Sequence, residues 1–414
     1  MARLQGFEKL TDVDQALSAF FKALKAKRLS AECVPVEDAW GRVAAESIVA
    51  PVDLPPFDRS AVDGYALRAQ DTFEASQFKS KKLRLTNEEM IGIGEAKQVW
   101  TGNPLSKNAD AVVMLEHTKP VKDGIEVLTA LTPGENVSKM GEDFHKGEKT
   151  IESGTRLRSH HIGLLASLGF THVKVFKKPR VAILSTGNEL VELGKKPQSN
   201  QIIDSNRFMI ASLCEELGAE PINLGIAKDN LNEIGQKIFK GLDEADIVIT
   251  TGGSSVGAPD LVPIVVDKLG KPGIVVHGVA LRPGMPTALA VLRGKPVFVL
   301  SGYPVAATIG FEVFVRPTIL KMFGIENEPR PVLKARLTKR VVAALGRRVY
   351  LRVYVYNKDG EFFAEPIKTK GSGLLSTITK GNGYVIVPEN REGLEKDETV
   401  TVHLFGTIGS EPNV

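Results

Sequence analysis

The spacing of hydrophobic residues changes several times along this chain, and each change predicts a different kind of structure. Residues 11–29 follow a helical period, and Thr11 with Asp14 predicts a capping-box start for that helix. The apolar stripe of this helix comprises Val13, Leu17, Phe20, Phe21 and Leu24. Residues 50–68 hold three prolines and then an Asp-Gly step, which predicts a shaped loop.

A β-rich segment is expected between about residues 70 and 140. Its short alternating runs, such as "KLRLT" and "GIEVLTAL", are separated by Gly, Asn and Pro. Residues 159–170 then regain a helical period, with Ser159 as the expected N-cap and Gly169 near the end.

Strands and helices alternate from about residue 178 to residue 323. The runs "RVAILST", "EPINLGIA" and "DIVITTGG" predict strands, and the stretches between them predict helices. Alternation of this kind is typical of a mostly parallel, doubly wound sheet with helices on both faces. Short strands return after residue 331, which predicts a compact C-terminal β-domain.

Composition and charge narrow the function classes. Of 414 residues, 43% are hydrophobic and 25% charged, and the net charge of +4 gives no case for nucleic acid as a main partner. Cys33 and Cys214 are the two cysteines, and their separation argues against a disulfide framework or a structural zinc site. No stretch reaches the ~18 apolar residues of a membrane helix. We therefore expect a soluble, cytoplasmic protein with no membrane association.

Two loops of similar composition follow strands of the α/β region. They are "STGNEL" (185–190) and "TGGSSVGAPD" (251–260). In a doubly wound sheet, ligands bind beyond the carboxyl ends of the strands. Glycines allow close backbone approach to an anion, and a helix is expected to begin after each loop. The glycines of the expected anion nest are Gly187, Gly252, Gly253 and Gly257, and the hydroxyl donors are Thr186, Ser254 and Ser255.

Glu189 and Asp260 lie in these same loops, although a carboxylate beside a phosphate group repels it. A divalent cation between the two would remove the repulsion, so the pattern predicts a phosphate-bearing ligand with Mg²⁺. Ordinary strand-to-helix turns, with Asp260 as an N-cap, are an equal alternative for either loop taken alone. The chain has neither a P-loop nor a dinucleotide fingerprint.

An ordered set of motifs resembles the molybdopterin molybdenumtransferase family, which is related to the E domain of gephyrin. The motifs are "PPFDRSAVDGYA" (55–66), "TGNPL" (101–105), "GEDF" (141–144), "STGNEL", "DSNRFM" (204–209), "TGGSSVGAPD" and "RPGMP" (282–286). The resemblance covers nearly the whole chain.

The resemblance implies a fold and an activity. The fold is multidomain α/β: a central doubly wound α/β/α molybdopterin-binding domain, a β-rich inserted domain and a C-terminal β-barrel-like domain. The implied domains are residues 1–53 plus 141–177 (a discontinuous linker domain), 54–140 (inserted), 178–326 (α/β) and 327–414 (C-terminal β). The implied reaction takes adenylylated molybdopterin and molybdate, inserts molybdenum and releases AMP with Mg²⁺. A homodimer with a site shared between subunits and a molybdopterin adenylyltransferase partner are also implied.

The resemblance also implies roles for particular residues. The catalytic positions are Asp63, Thr101, Asp143, Glu189, Asp229 and Asp260, of which Glu189, Asp229 and Asp260 would bind the metal. The ligand-binding positions are Ser185, Thr186, Gly187, Thr251, Gly252, Gly253, Ser254, Ser255, Gly257, Arg282, Pro283, Gly284, Ser301, Gly302 and Pro304. Arg282 and Lys228 are the cations expected to attract molybdate.

Some positions depart from the family pattern. Met285 stands where a lysine is common, Ser301 and Tyr303 replace a proline and an asparagine, and Asn188 replaces an aspartate. These changes leave open a tungstate-specific insertase or a scaffold that binds molybdopterin without turnover. A different phosphate-processing α/β enzyme is a third alternative, but it does not account for the motifs outside residues 178–323. The histidines are expected to be structural or exposed, with His277 the one most plausibly near the ligand.

Overall fold

A computed structural model of the protein describes residues 10–25, 28–252, 261–326, 328–367 and 373–411. The chain forms two compact units. One combines the residues up to Ala31 with Phe176–Val414, and the other is Glu32–Val175. Within the described ranges, no helix is long and apolar enough to cross a membrane. The four-domain division expected from the sequence is finer than this and stays a prediction.

A six-stranded sheet dominates the unit Glu32–Val175 and confirms the β-rich segment. In spatial order its strands are Ala111–Met114, Gly64–Leu67, Glu95–Val99, Lys81–Leu85, Gly124–Val127 and Thr118–Val121. Alternating side chains such as Leu67, Leu83 and Ile125 are buried together on one face.

The rest of this unit consists of one α-helix, short strand pairs and the 3₁₀ helices Val36–Asp38, Ala69–Thr72 and Leu115–His117. The pairs are Ala31–Pro35 with His172–Phe176, Ile48–Val49 with Lys149–Ile151, and Arg59–Ser60 with Val137–Ser138. The helix is Ser159–Ser167, and Gly169 follows its end at φ +80°. The expectation that Ser159 is the N-cap was wrong, because Arg158 holds that position. The Arg158 backbone N–H donates to Nδ1 of His161 at 3.0 Å.

A second six-stranded sheet forms the centre of the other unit. In spatial order its strands are Glu220–Ala227, Arg180–Thr186, Ile247–Thr251, Lys295–Leu300, Ala288–Leu292 and Pro272–His277. The first four are mutually parallel, and Ala288–Leu292 runs antiparallel to both of its neighbours. The mostly parallel sheet predicted from the sequence is therefore confirmed.

Helices cover both faces of this sheet. They are Val13–Leu24, Asn206–Glu216, Leu231–Glu244, Leu261–Leu269, Pro304–Gly310 and Arg316–Met322. Ile234 and Val262 pack on the face that carries Val297 and Val299. Phe298 points to the opposite face, where its ring lies 5.3 Å from that of Phe20.

The helix ends differ from those expected. The first helix spans Val13–Leu24 rather than residues 11–29, and Asp12 caps it in place of Thr11, accepting from the backbone N–H groups of Asp14 and Gln15. A π-helical turn at Phe311–Val315 separates the helices Pro304–Gly310 and Arg316–Met322.

The C-terminal strands close into a barrel-like sheet. Arg348–Lys358 pairs with both Glu361–Pro366 and Gly383–Val387, and the ring is completed through Val332–Leu337 and Thr399–Leu404. The remaining elements here are the strands Val341–Val342, Gly393–Leu394 and Gly409–Ser410 and the helix Ser376–Thr379. Inward residues such as Leu351, Val353 and Val385 form its core, and the predicted β-barrel-like domain is confirmed.

Candidate functional site

Four parallel strands of the α/β sheet end at one edge. Ser185 is paired in register with Thr251, and Thr251 with Leu300. Because the strands are parallel, their carboxyl ends meet, and the polar residues that follow each strand come together. Ser185 and Thr251 are buried, with their hydroxyl oxygens 3.1 Å apart. This edge is where a doubly wound sheet binds ligands.

Glycine is required where the backbones at this edge approach each other. Gly252 has φ +89°, and a Cβ added to it would lie 2.4 Å from the carbonyl oxygen of Thr186. A Cβ added to Gly302 would lie 3.3 Å from Cα of Gly252. The strand ends therefore form a closely packed floor that larger residues would disrupt.

Two carboxylates lie at the turn formed by Gly187 and Asn188. The Asn188 N–H donates to Oδ2 of Asp229 at 3.3 Å, and the Asp229 N–H donates to Oδ1 of Asn188 at 3.1 Å. The Glu189 side chain folds back over the turn, so that both of its carboxylate oxygens lie 2.7 Å from the place that a Cβ on Gly187 would occupy. The structure thus brings together Glu189 and Asp229, which are 40 positions apart in sequence.

This pair of carboxylates fits a magnesium ion that is completed by a ligand. Both side chains are exposed, and no ion pair to either carboxylate occurs among the described residues. In the same part of the chain, no group of three His, Cys, Asp or Glu residues could hold a metal by itself. Mg²⁺ is commonly bound by one or two carboxylates together with phosphate oxygens and water, so the donor set is compatible with the cation.

The loop after the strand Arg180–Thr186 does not lead into a helix. It continues into a short strand, Leu190–Val191, which pairs with Ile202–Ile203, and the next helix begins only at Asn206. The sequence-based expectation of a helix dipole behind "STGNEL" was therefore wrong. A helix does follow the second loop, at Leu261–Leu269.

The expected cations lie in different environments. Lys228 Nζ donates to the carbonyl oxygens of Asn188 and Leu190, both at 3.2 Å, so it holds the turn that carries the carboxylates. Arg282 is exposed, and its short strand pairs with the start of the barrel strand Arg348–Lys358.

Sequence reasoning missed Arg352, which lies in that same barrel strand. Arg352 is only 5% exposed, its Nη1 donates to the Tyr350 carbonyl oxygen at 3.0 Å, and among the described residues no acceptor reaches its Nε. Burial, together with the positive charge of Arg282, lowers the pKa of the Arg352 guanidinium. Buried charges are normally paired, so these two arginines favour an anionic ligand. Arg352 alternates along this strand with the inward residues Leu351 and Val353, so the sequence pattern carries no signal of its burial.

Two buried polar atoms at the sheet edge also lack a hydrogen-bond partner within the described part of the chain. Asn206 donates from Nδ2 to the carbonyl oxygen of Gly302 at 2.7 Å, while its Oδ1 has no hydrogen bond. The hydroxyl of Thr186 is likewise buried without a partner. Unpaired buried polar atoms are uncommon and are consistent with a binding edge. The only signal for Asn206 in the sequence was its place in "DSNRFM".

The remaining expected ligand-binding residues surround this edge. Ser301 is buried, and its hydroxyl accepts from the Tyr303 N–H at 3.2 Å. Pro304 begins the helix Pro304–Gly310. Pro283 and Gly284 follow Arg282, and the carbonyl of the divergent Met285 accepts from the Val279 N–H at 2.9 Å. His277 ends the edge strand. Gly253, Ser254, Ser255, Gly257 and Asp260 lie outside the described residues.

Asp63 and Thr101 form a second polar cluster, in the unit Glu32–Val175. The Thr101 backbone N–H and hydroxyl both donate to Oδ1 of Asp63 at 2.7 Å. These two hydrogen bonds lower the pKa of Asp63 and keep it ionised. Asp143 is exposed, and its N–H donates to the Leu54 carbonyl at 3.0 Å. The structure joins Asp63 to Thr101 and shows no hydrogen bond between either residue and Asp143.

The fold and the polar sheet edge define a multidomain α/β protein whose candidate site lies at the carboxyl ends of parallel strands. Family comparisons agree with this class. Residues 11–169 match the MoeA N-terminal region (domain I and II), residues 182–321 match a probable molybdopterin binding domain, and residues 334–405 match the MoeA C-terminal region (domain IV).

Similar proteins extend the match over nearly the whole chain. The molybdopterin molybdenumtransferase of Haemophilus influenzae is 34% identical over 407 residues, covering 96% of this chain and 99% of that protein. The Bacillus subtilis protein of that name is 34% identical over 392 residues, covering 92% of this chain and 91% of that protein. A crystal structure of the molybdopterin biosynthesis moeA protein from Pyrococcus horikoshii superposes with a TM-score of 0.83 at 34% identity, covering 96% and 100%. The chain therefore belongs to the molybdopterin molybdenumtransferase family, an enzyme family of molybdenum cofactor biosynthesis.

Proposed function

We propose that this enzyme inserts molybdenum from molybdate into adenylylated molybdopterin and releases AMP in a Mg²⁺-dependent reaction, the last step of molybdenum cofactor biosynthesis. The observation that carries the proposal is the meeting of Glu189 and Asp229 at the ligand-binding edge of the sheet. A cytoplasmic location, as expected from the sequence, is part of the proposal.

The acidic and the uncharged residues at the sheet edge have different proposed roles. Glu189 and Asp229, with Asp260 from outside the described residues, would hold Mg²⁺, which neutralises charge on a pyrophosphate group. The hydroxyls of Thr186 and Thr251 would donate to phosphate oxygens, whereas the Gly252 N–H already donates to the Leu300 carbonyl oxygen at 3.1 Å. Carboxylates alone would repel the pyrophosphate, so the proposed cation explains why acids and phosphate donors share one edge.

Arg282 and Arg352 are the proposed binding groups for the molybdate dianion. Arg352 is buried and its Nε has no acceptor in the ranges that the structure describes, so an oxyanion would supply the missing hydrogen bond and charge. This pair also offers an explanation of how the chain tolerates Met285 where the family often has a lysine, because positive charge near the anion comes from two arginines.

The experiment that tests the activity is AMP release from adenylylated molybdopterin by the purified protein. Molybdate-dependent release is expected with Mg²⁺ and not with a chelator. Glu189→Gln should lower the rate about 100-fold or more because one charged metal ligand is lost. Glu233→Gln is the control, since Glu233 is an acid in the first turn of a nearby helix. A response to tungstate alone would change the oxyanion, and no AMP under any condition would contradict the proposal.

We further propose a homodimer in which the Asp63–Thr101 cluster of one subunit completes the metal-binding edge of its partner, with a molybdopterin adenylyltransferase as supplier of the substrate. The support is that the chain holds two separate polar clusters, in two compact units. Such a dimer would have twofold symmetry and two equivalent sites.

Mixed dimers provide a direct test of this arrangement. Asp63→Ala and Glu189→Gln subunits, each inactive alone, are co-expressed with different tags and the heterodimer is isolated. If sites are shared between subunits, one site carries both changes and the other carries none, so activity returns. If each site lies within one chain, both sites are damaged and the heterodimer stays inactive.

A further inference from the structure

We propose that Arg207 is a positioning residue that fixes the two turns carrying Glu189 and Asp229 relative to each other. Its guanidinium contacts both stretches of chain that lead to these carboxylates. The catalytic part of this inference rests on the proposed function, whereas the linkage between the turns can be tested without any activity.

The turn that carries Asp229 follows a β-bulge. Along the parallel pair of strands, Ile183 is opposite Asn223, but Ser185 is opposite Ile226, so the strand Glu220–Ala227 carries one extra residue. Gly225 lies in this bulge at φ +75°. A bulge shifts the register of everything that follows. It therefore sets how the segment ending at Asp229 meets the turn at Asn188.

The bulge is held by side chains rather than by strand pairing alone. Oδ1 of Asn223 accepts from the Gly225 N–H at 2.7 Å and from Nη1 of Arg207 at 2.8 Å. Lys237 Nζ donates to the Leu224 and Ile226 carbonyl oxygens at 3.2 and 2.8 Å. These two hydrogen bonds of Lys237 go to the bulge, whereas those of Arg207 also reach Glu192 in the loop that carries Glu189.

The same guanidinium also holds the loop that carries Glu189. Nη1 of Arg207 lies 3.4 Å from Oε1 of Glu192, and Nη2 bonds the other oxygen of that carboxylate. Nε lies 3.2 Å from Oδ2 of Asp204. Arg207 and Asp204 are each 2% exposed, so the pair is anchored inside the protein.

Only arginine can make this three-way connection. Its planar fork donates to Asn223 and Glu192 at once while its charge pairs with Asp204 without a hydrogen bond from Nε, which the single ammonium of lysine cannot do. The contact with Arg207 is also the main reason why the pKa of Glu192 is lowered. Motion of either turn must therefore move a group shared with the other turn.

Variants at the two ends test the linkage without disturbing its buried centre. Glu192 has an exposed fraction of 43% in its side chain, and Asn223 is exposed, so Glu192→Ala and Asn223→Ala should fold. Glu220→Ala is the matched control. It removes an exposed carboxylate that is paired with Arg180 at 3.8 Å, at the far end of the bulged strand.

Hydrogen exchange of backbone amides is the first measurement. Glu192→Ala should accelerate exchange at residues 187–192 and also, through Arg207, at residues 223–229. Asn223→Ala should do the same in the opposite direction, and the double variant should add little to either single one. Faster exchange confined to the substituted segment, or full additivity, would overturn the linkage.

AMP release is the second measurement. Each single variant should lower kcat about 10- to 100-fold, as is typical for residues that orient metal ligands, with KM for the adenylate unchanged. Normal kcat despite faster exchange in both turns would refute the catalytic consequence. If the unaltered enzyme releases no AMP, the proposed function fails, and the exchange result alone decides whether Arg207 couples the turns.

Discussion

Substitution of Gly252 by alanine tests whether the strand ends at the site are as tightly packed as the structure indicates. Two costs add at this residue. Its φ of +89° is a conformation that disfavours a side chain, which costs about 1–2 kcal/mol. The new Cβ would also lie 2.4 Å from the Thr186 carbonyl oxygen, where ordinary contacts begin at 3.4 Å. Moving the two backbones apart by about 1 Å should cost a further ~1–3 kcal/mol.

Gly294→Ala is the matched control for this prediction. Gly294 lies in the hairpin between two strands of the same sheet, has φ +74°, and has no atom within 4 Å of an added Cβ. It therefore carries the conformational cost without the clash. Gly294→Ala should lose about 1–2 kcal/mol, and Gly252→Ala about 2–5 kcal/mol in total.

Hydrogen exchange of the strands Arg180–Thr186 and Ile247–Thr251 gives the free energy of local opening for each variant. This measurement is preferable to global unfolding, because a protein with two compact units need not unfold in one step. AMP release should be lost in Gly252→Ala and retained in Gly294→Ala. Equal opening free energies for the two variants would refute the packing argument.

Three further predictions concern charge. The pKa of His161 is lowered, chiefly by burial, so the unfolded chain binds its proton more readily, and stability should fall as the pH drops below 6.5. His161→Gln keeps an acceptor for the Arg158 N–H and should remove this part of the pH dependence of thermal unfolding. An unchanged dependence of the melting temperature on pH would show that His161 is not its source. Thr101→Val removes one of two hydrogen bonds that lower the pKa of Asp63, so the acidic limb of the rate profile should move to higher pH, and an unmoved limb would disconnect Asp63 from catalysis. Arg352→Met should raise the molybdate concentration needed for half-maximal rate about 10-fold or more. Its thermal stability should be equal or greater, because a buried charge without a full set of partners is removed. An unchanged molybdate requirement would exclude Arg352 from the anion site.

The hydrophobic pattern predicted the α/β alternation well because a buried parallel strand and an amphipathic helix have different periods. Helix ends were less certain. Thr11 and Asp12 are both suitable N-cap residues, and the sequence does not show which of them caps the helix. In the structure Asp12 is the cap, because its side chain accepts two backbone hydrogen bonds. The bulge was missed because "EPINLGIA" reads as a regular strand, although the glycine inside it was a signal for one.

The sequence by itself predicted most strands and helices, because hydrophobic periodicity is a local property of the chain, and the family resemblance supplied the acidic positions of the candidate site. The tertiary structure alone decided which of these positions meet. Glu189 and Asp229 come together because parallel strands end at a common edge and a bulge sets the final register. Arg352 became a buried cation only through closure of the barrel and its packing, since burial depends on contacts between segments far apart in sequence.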